Sequence, residues 1–90
     1  MNNIYFVFKG VTIWTHGKNL VIVEAGGTAV AQRGSTVIVR AGGECIAEDG
    51  SLVVGMPNSS IRAKHNSRLK VYSGVTIILE GSADIEWLNR

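Results

Sequence analysis

Few residues in this chain are of the kinds that do chemistry, and their spacing limits what they can do. Glu44, Glu48 and Asp49 form the closest group of carboxylates. Cleavage of a glycosidic bond needs two carboxyls facing each other across a cleft, and a short run along one chain segment does not supply that. His16 and His65 have no cysteine or aspartate at metal-ligand spacing, so no metal centre is expected. Cys45 is the single cysteine; it has no internal disulfide partner and falls among small apolar residues, as a core thiol does. The pairs Gly26-Gly27 and Gly42-Gly43 recur at a fixed interval, which suits turns rather than a phosphate-binding loop. These readings predict a protein that is not an enzyme and holds no cofactor.

The segment Arg62-Ala63-Lys64-His65-Asn66-Ser67-Arg68-Leu69-Lys70 is different. Four basic side chains and a histidine fall within nine positions. Arg62, Lys64, His65, Arg68 and Lys70 are therefore candidate contacts for an anionic partner, either nucleic acid or an acidic protein surface. The whole chain argues for less. Nine Lys and Arg against seven Asp and Glu give a net charge of +2, too mild to imply nucleic-acid binding from charge alone.

What must position these residues follows from composition and periodicity. Ninety residues make one domain, residues 1–90, with 46% hydrophobic content and eleven glycines to one proline. That composition excludes a disordered chain. No run approaches the ~20 apolar residues of a membrane span, and the opening residues lack the basic start of a signal peptide. With one cysteine, a soluble, cytoplasmic protein of a reducing compartment is expected, with no membrane partner.

Written in eights from Tyr5, the chain falls into columns. The first reads Tyr5, Ile13, Val21, Ala29, Val37, Cys45, Val53, Ile61, Leu69, Ile77 and Ile85, all apolar. The third, from Val7 to Trp87, contains no charge. The sixth is Gly or Asn in eight of its ten members; the exceptions, Lys18 and Ser82, each follow a glycine. First and third positions lie two apart and so share one side of a strand. A residue tolerant of positive φ then turns the chain. Spacings of two and eight do not trace one face of a helix. The expected fold is all-β, a single-stranded parallel β-helix, or β-solenoid.

Two patterns set the coil at roughly sixteen residues, two octads, giving about five coils. Inward pairs alternate in size, with Val21/Val23, Val37/Val39 and Leu69/Val71 in one set and Ala29/Ala31, Cys45/Ala47 and Ile61/Ala63 in the other. A thin core needs large residues opposite small ones. Stacking at sixteen also sets Glu24 on Arg40, Glu48 on Lys64 on Glu80, Arg68 on Asp84 and Lys70 on Glu86. A coil of twenty-four would instead stack like charges on adjacent strands. Five coils at ~4.8 Å make a rod of ~25 Å. The octad through Met56-Pro57-Asn58-Ser59-Ser60 is the weakest, and a bulge or a different turn is expected there.

The second column points outward yet reads Phe6, Trp14, Ile22, Val30, Ile38, Ile46 and Val54 before turning to Arg62 and Lys70. In sixteen-residue coils these residues form two stripes, Phe6-Ile22-Ile38-Val54 and Trp14-Val30-Ile46. Single exposed valines and isoleucines reflect strand propensity, but a stacked row makes a patch. The expectation is a homodimer or larger assembly, the partner being the chain itself. Residues 1–12 are expected to form an apolar edge coil capable of end-to-end stacking. Residues 85–90 are expected to be a C-terminal cap, with Trp87 over the core and Asp84, Glu86 and Arg90 guarding the edge.

The octads Val21-Ile22-Val23-Glu24-Ala25-Gly26-Gly27-Thr28 and Val37-Ile38-Val39-Arg40-Ala41-Gly42-Gly43-Glu44 resemble the octapeptide repeats of β-solenoid proteins from bacteria and their phages. The resemblance implies the same fold and a choice of non-enzymatic roles: adhesin, phage tail part, filament-forming scaffold or inhibitor of a host protein. The hexapeptide acyltransferase solenoids are not matched, since the period here is eight. Nor are the ice-binding solenoids, since Thr12, Thr28, Thr36 and Thr76 form no paired arrays.

Overall fold

The computed structural model describes residues 4–88. Its eleven strands alternate between two sheets. The odd sheet holds β1 (Ile4–Val7), β3 (Leu20–Val23), β5 (Thr36–Val39), β7 (Leu52–Gly55), β9 (Ser67–Val71) and β11 (Ala83–Trp87). The even sheet holds β2 (Thr12–Thr15), β4 (Thr28–Ala31), β6 (Glu44–Ala47), β8 (Ser60–Ala63) and β10 (Thr76–Leu79). Every ladder is parallel, and each strand residue pairs with the one sixteen positions on, from Tyr5↔Val21 to Ile85↔Leu69. The fold is a β-solenoid with two octads per coil, and its extents are 28 × 24 × 22 Å.

Strand residues alternate between core and exterior, as Leu20, Val21, Ile22 and Val23 do with Val21 and Val23 fully buried. The core is the first and third columns from both sheets, including Val37, Val39, Cys45, Ala47, Val53, Ala63 and Val71. The expected size complementarity is present, and it accounts for Gly55. A Cβ there would lie 2.8 Å from Ile61 Cδ1 and 3.3 Å from Val71 Cγ1. Ile61 is the one large inward residue in the middle of the even sheet, and it fills the space that Gly55 leaves.

The corners are hydrogen-bonded turns that also stack. In seven of the turns the seventh-column N–H donates to the fourth-column carbonyl, as from Gly27 to Glu24 at 2.9 Å and from Ser51 to Glu48 at 3.1 Å. The sixth-column residue between them has positive φ, +82° at Gly26 and 65° at Asn66. Its N–H reaches up to the next coil, from Gly10 to the Gly26 carbonyl and from Gly26 to the Gly42 carbonyl at 3.0 and 2.9 Å. The backbone ladder therefore runs around the corners as well as along the strands.

The irregularity expected at Pro57 is absent. Asn58 takes φ 71°, Ser59 N–H bonds the Met56 carbonyl at 3.2 Å, and β7 and β9 stay in register through Gly55↔Val71. The reason lies in the turn. Proline suits the position before a positive-φ residue, and the fifth-column N–H at such a turn, as at Ala25 or Ala41, takes no part in the turn or inter-coil ladder; Gly17, which itself takes the positive φ, is the exception. Pro57 thus removes a donor that the fold does not use.

The two sixth-column exceptions are resolved differently. Gly17 takes the positive φ itself, 71°, one position early. Gly81 lies outside the left-handed region; a Cβ there would meet the His65 backbone at 2.7 and 2.8 Å. Its role is close approach between coils. Residues 85–87 belong to β11, a ladder strand, and Trp87 and Leu79 remain 54% and 55% exposed. The last coil does not seal the core. Residues 1–3 of the expected edge coil and residues 89–90 of the expected cap, Arg90 among them, lie outside the described residues.

Candidate interaction surfaces

The two outer faces differ in chemistry. Outside the odd sheet, the second column supplies Phe6, Ile22, Ile38 and Val54, as expected, and its neighbouring columns widen the stripe. Ile4, Leu20 and Leu52 lie on one side, with Phe8 and Met56 on the other. The first four strands of this sheet thus present an apolar face up to three residues wide, interrupted by Glu24, Thr36 and Arg40. Arg40 and Glu24 neutralise each other at 3.7 Å. The second column alone does not show this width; the signal for it in the sequence is the size of Phe8 and Met56 in the fourth column. An open, mainly apolar groove of about 540 Å³ runs between Ile38, Ala41, Val54, Met56, Pro57 and Tyr72 on this side, with Arg40 at its wall.

Outside the even sheet the apolar stripe is one residue wide. Trp14, Val30 and Ile46 are in register, flanked by Thr12, Thr28 and Glu44 on one side and by His16, Gln32 and Glu48 on the other. Val30, between the larger Trp14 and Ile46, is only 6% exposed. It adds little to any surface.

The basic segment does not make one patch. Arg62 lies on β8 and faces out from the even sheet, with Lys64 just beyond that strand; Arg68 and Lys70 lie on β9 and face out from the odd sheet. His65 occupies the corner between them. Residues on opposite sides of a two-sheet rod cannot engage one flat partner together. Acidic partners also answer these charges. Arg62 pairs with Glu80 at 3.5 Å and Lys64 with Glu48 at 3.9 Å, while Arg68 and Lys70 are in register with Asp84 and Glu86. The Glu24–Arg40 and Glu48–Lys64 stacks expected from the sequence are thus ion pairs.

The remaining reactive groups are accounted for by structure. Asp49 pairs with Arg33 at 3.3 Å and accepts a hydrogen bond from Asn66 Nδ2 at 2.6 Å. Glu44 stands exposed on β6, so the three carboxylates face no common cleft. Among the described residues no group of three His, Cys, Asp or Glu could hold a metal ion, and no helix is long and apolar enough to cross a membrane. Cys45 is fully buried. Burial pushes its thiol up to about 12; a backbone hydrogen bond with Ala31 acts against this, and the charge of Glu44 adds to it. At neutral pH it is a core side chain and not a nucleophile.

One polar device had no counterpart in the sequence reading. Ser35, Ser51 and Ser67 stack at the seventh position of one corner, all buried. Each hydroxyl donates to the carbonyl three residues back, at 2.6, 2.6 and 2.8 Å. Ser59 does the same in the opposite corner at 2.7 Å. Such short local bonds let a polar side chain sit inside a corner without stranding its donor.

Large apolar side chains that are exposed concentrate, among the described residues, at the two ends of the solenoid. Ile4, Tyr5, Phe6, Phe8, Val11 and Trp14 belong to the first coil, and Ile78, Leu79 and Trp87 to the last. Comparison of the chain with protein-family models, with curated proteins and with solved structures finds no match.

Proposed function

We propose that the chain is a non-enzymatic structural protein that self-associates by packing the odd-sheet faces of two copies against each other. The supporting observation is the asymmetry between the two outer faces. One carries an apolar surface up to three columns wide over four strands, and the other a single flanked row. Sheets pack face to face at about 10 Å with interdigitating side chains, and Ile22, Ile38, Leu52 and Val54 are suited to that. The reading narrows the sequence expectation to one of its two stripes.

The alternative, a module for nucleic acid or an acidic protein, needs Arg62, Lys64, Arg68 and Lys70 on a common side. Their division between the two faces, and their acidic neighbours, favour the first reading.

The test is cross-linking, which reports on faces directly because buried Cys45 is inert. Single cysteines replace Ile22 or Ile38 on the odd face and Ile46 on the even face, and the chains are oxidised. An odd-face cysteine is expected to give a disulfide-linked dimer while Ile46→Cys stays single. Adding Ile38→Asp to the Ile22→Cys chain should abolish the link, since a charge at the centre of an apolar contact costs about 2–4 kcal/mol. Equal linking at Ile46, or no link on the odd face, overturns the reading.

A further inference from the structure

The solenoid ends carry a second surface, built on the strand edges and sharing only first-coil residues, Phe6 and Phe8 among them, with the odd-sheet face. Each inner coil is held from both sides. The N–H after a strand donates to the coil below, as from Glu24 to Val7 at 2.8 Å and from Gln32 to Thr15 at 2.7 Å. Among the described residues, Phe8 and His16 occupy those donor positions in the first coil with no coil beneath, and Leu79 and Trp87 carry the matching carbonyls in the last coil with no coil above. Such edges are normally blunted by charge, proline or a covering segment, and the terminal repeats of solenoids are normally polar. Here β1, β2 and β10 contain no charged residue, β11 carries Asp84 and Glu86, and the most exposed large apolar side chains lie on and beside these four strands.

We propose that the last coil of one copy binds the first coil of a second copy, extending both sheets into a head-to-tail stack. Two features identify the occupant as another copy of this chain in this orientation. The first is charge. Residues 4–19 carry Lys9 and Lys18 and no carboxylate, whereas residues 73–88 carry Glu80, Asp84 and Glu86 and no Lys or Arg. Head-to-tail contact sets a coil of net positive charge against one of net negative charge, although no carboxylate stacks directly on a lysine, and head-to-head contact sets like net charges together.

The second feature is register. The described residues form eleven strands, an odd number, so a copy rotated by half a turn about the solenoid axis continues both ladders. Its β1 then lies on β10 and its β2 on β11. The sixteen-residue rule carries over the junction, pairing Ile77 with Tyr5 of the second copy, Leu79 with Val7, and Ile85 with Ile13. Outside, Ile78 meets Phe6, both about half exposed in the single chain at 48% and 51%. The Phe8 N–H meets the Leu79 carbonyl. Half-turn and translation together form a screw, which does not close into a ring. Eleven half-coils at ~4.8 Å per coil give a repeat of about 26 Å along the stack.

The test blocks one end at a time, in a chain that also carries Ile22→Asp and Ile38→Asp so that face-to-face contact does not contribute. Tyr5→Lys places a charge at the first-coil end and Leu79→Lys at the last-coil end; both positions are about half exposed, at 45% and 55%. Circular dichroism and urea melts confirm that each variant is folded. In sedimentation velocity the unblocked chain is expected to form concentration-dependent species of increasing length. Either single block should weaken this at least ~30-fold, the loss expected for a hot-spot position. An equal mixture of the two blocked chains should recover one junction, giving a species of twice 9.6 kDa. Folded variants whose mixture stays single, or a blocked chain that still pairs with itself, overturn the proposal. So does an unblocked chain that sediments as a single molecule.

Discussion

Raising the pH should destabilise this protein through Cys45, and replacing that residue should remove the effect. The thiol is fully buried on β6 between Ala29 and Ile61 of the neighbouring strands, with its ionisation moved from 9.0 up to about 12. The folded state therefore keeps the proton over a range where the unfolded chain releases it. The stability due to the neutral thiol is full below pH 9 and falls as pH rises toward 12, with a slope approaching about 1.4 kcal/mol per pH unit. At pH 10.5 the linkage relation gives a loss of about 2 kcal/mol relative to pH 7. Other groups titrate in this range as well, so the comparison is differential. Urea unfolding of the wild type and of Cys45→Ala is measured at both pH values. The variant should be less stable at pH 7, because a buried sulfur is lost from a close-packed core, yet its further loss at pH 10.5 should be smaller by about 2 kcal/mol. If both proteins lose the same amount between the two pH values, the thiol is not held neutral by burial, and the placement of Cys45 in the core is wrong.

Two further outcomes test the corners. Gly81→Ala should cost more than Gly10→Ala, because its Cβ runs into the His65 backbone at 2.7 Å, whereas at Gly10 nothing lies within 4 Å. Gly10→Ala bears only the left-handed backbone penalty of about 1–2 kcal/mol, and urea midpoints at constant m-value rank the two. Ser51→Ala removes a buried hydroxyl that donates to the Glu48 carbonyl at 2.6 Å, but that carbonyl keeps the Ser51 N–H. The expected cost is about 1 kcal/mol, and a loss above about 3 kcal/mol in the same assay would mean that the hydroxyl does more than close its own turn.

The fold was legible because the octad repeats its demands. Tyr5, Val21 and Val37 through Ile85 state the same inward requirement eleven times, and the size alternation between Val37/Val39 and Cys45/Ala47 carries the coil length with it. Charge register carried it independently at Glu24 and Arg40. The surfaces were less legible, because position on a surface depends on which sheet a residue reaches. Arg62 to Lys70 reads as one basic run along the chain, but the run crosses a corner at His65 and is split between opposite faces. Val30 reads as exposed from its column, but it lies between Trp14 and Ile46. Pro57 reads as a fault until the turn shows that its missing N–H has no partner to lose. Nothing in the octad pattern marks Ser35, Ser51 and Ser67, since a serine near a glycine suits a solvent-facing turn, and only the corner geometry shows each hydroxyl turned back to its own chain.

Two octads per coil also constrain how such a chain can change length. Inserting or deleting sixteen residues adds or removes one whole coil and returns every later residue to its former face. Inserting or deleting eight residues is nearly as harmless to the fold, since each column meets the same inward demand. Yet it transfers every later residue to the opposite sheet. Leu52, Val54 and Met56 would join the side of Trp14, and Arg62 would align behind Ile38. Lineages descended from such a chain could therefore keep their stability through either event while exchanging apolar and charged surfaces only through the second. An odd number of octads gained or lost is thus a route to a new surface pattern that requires no substitution at all.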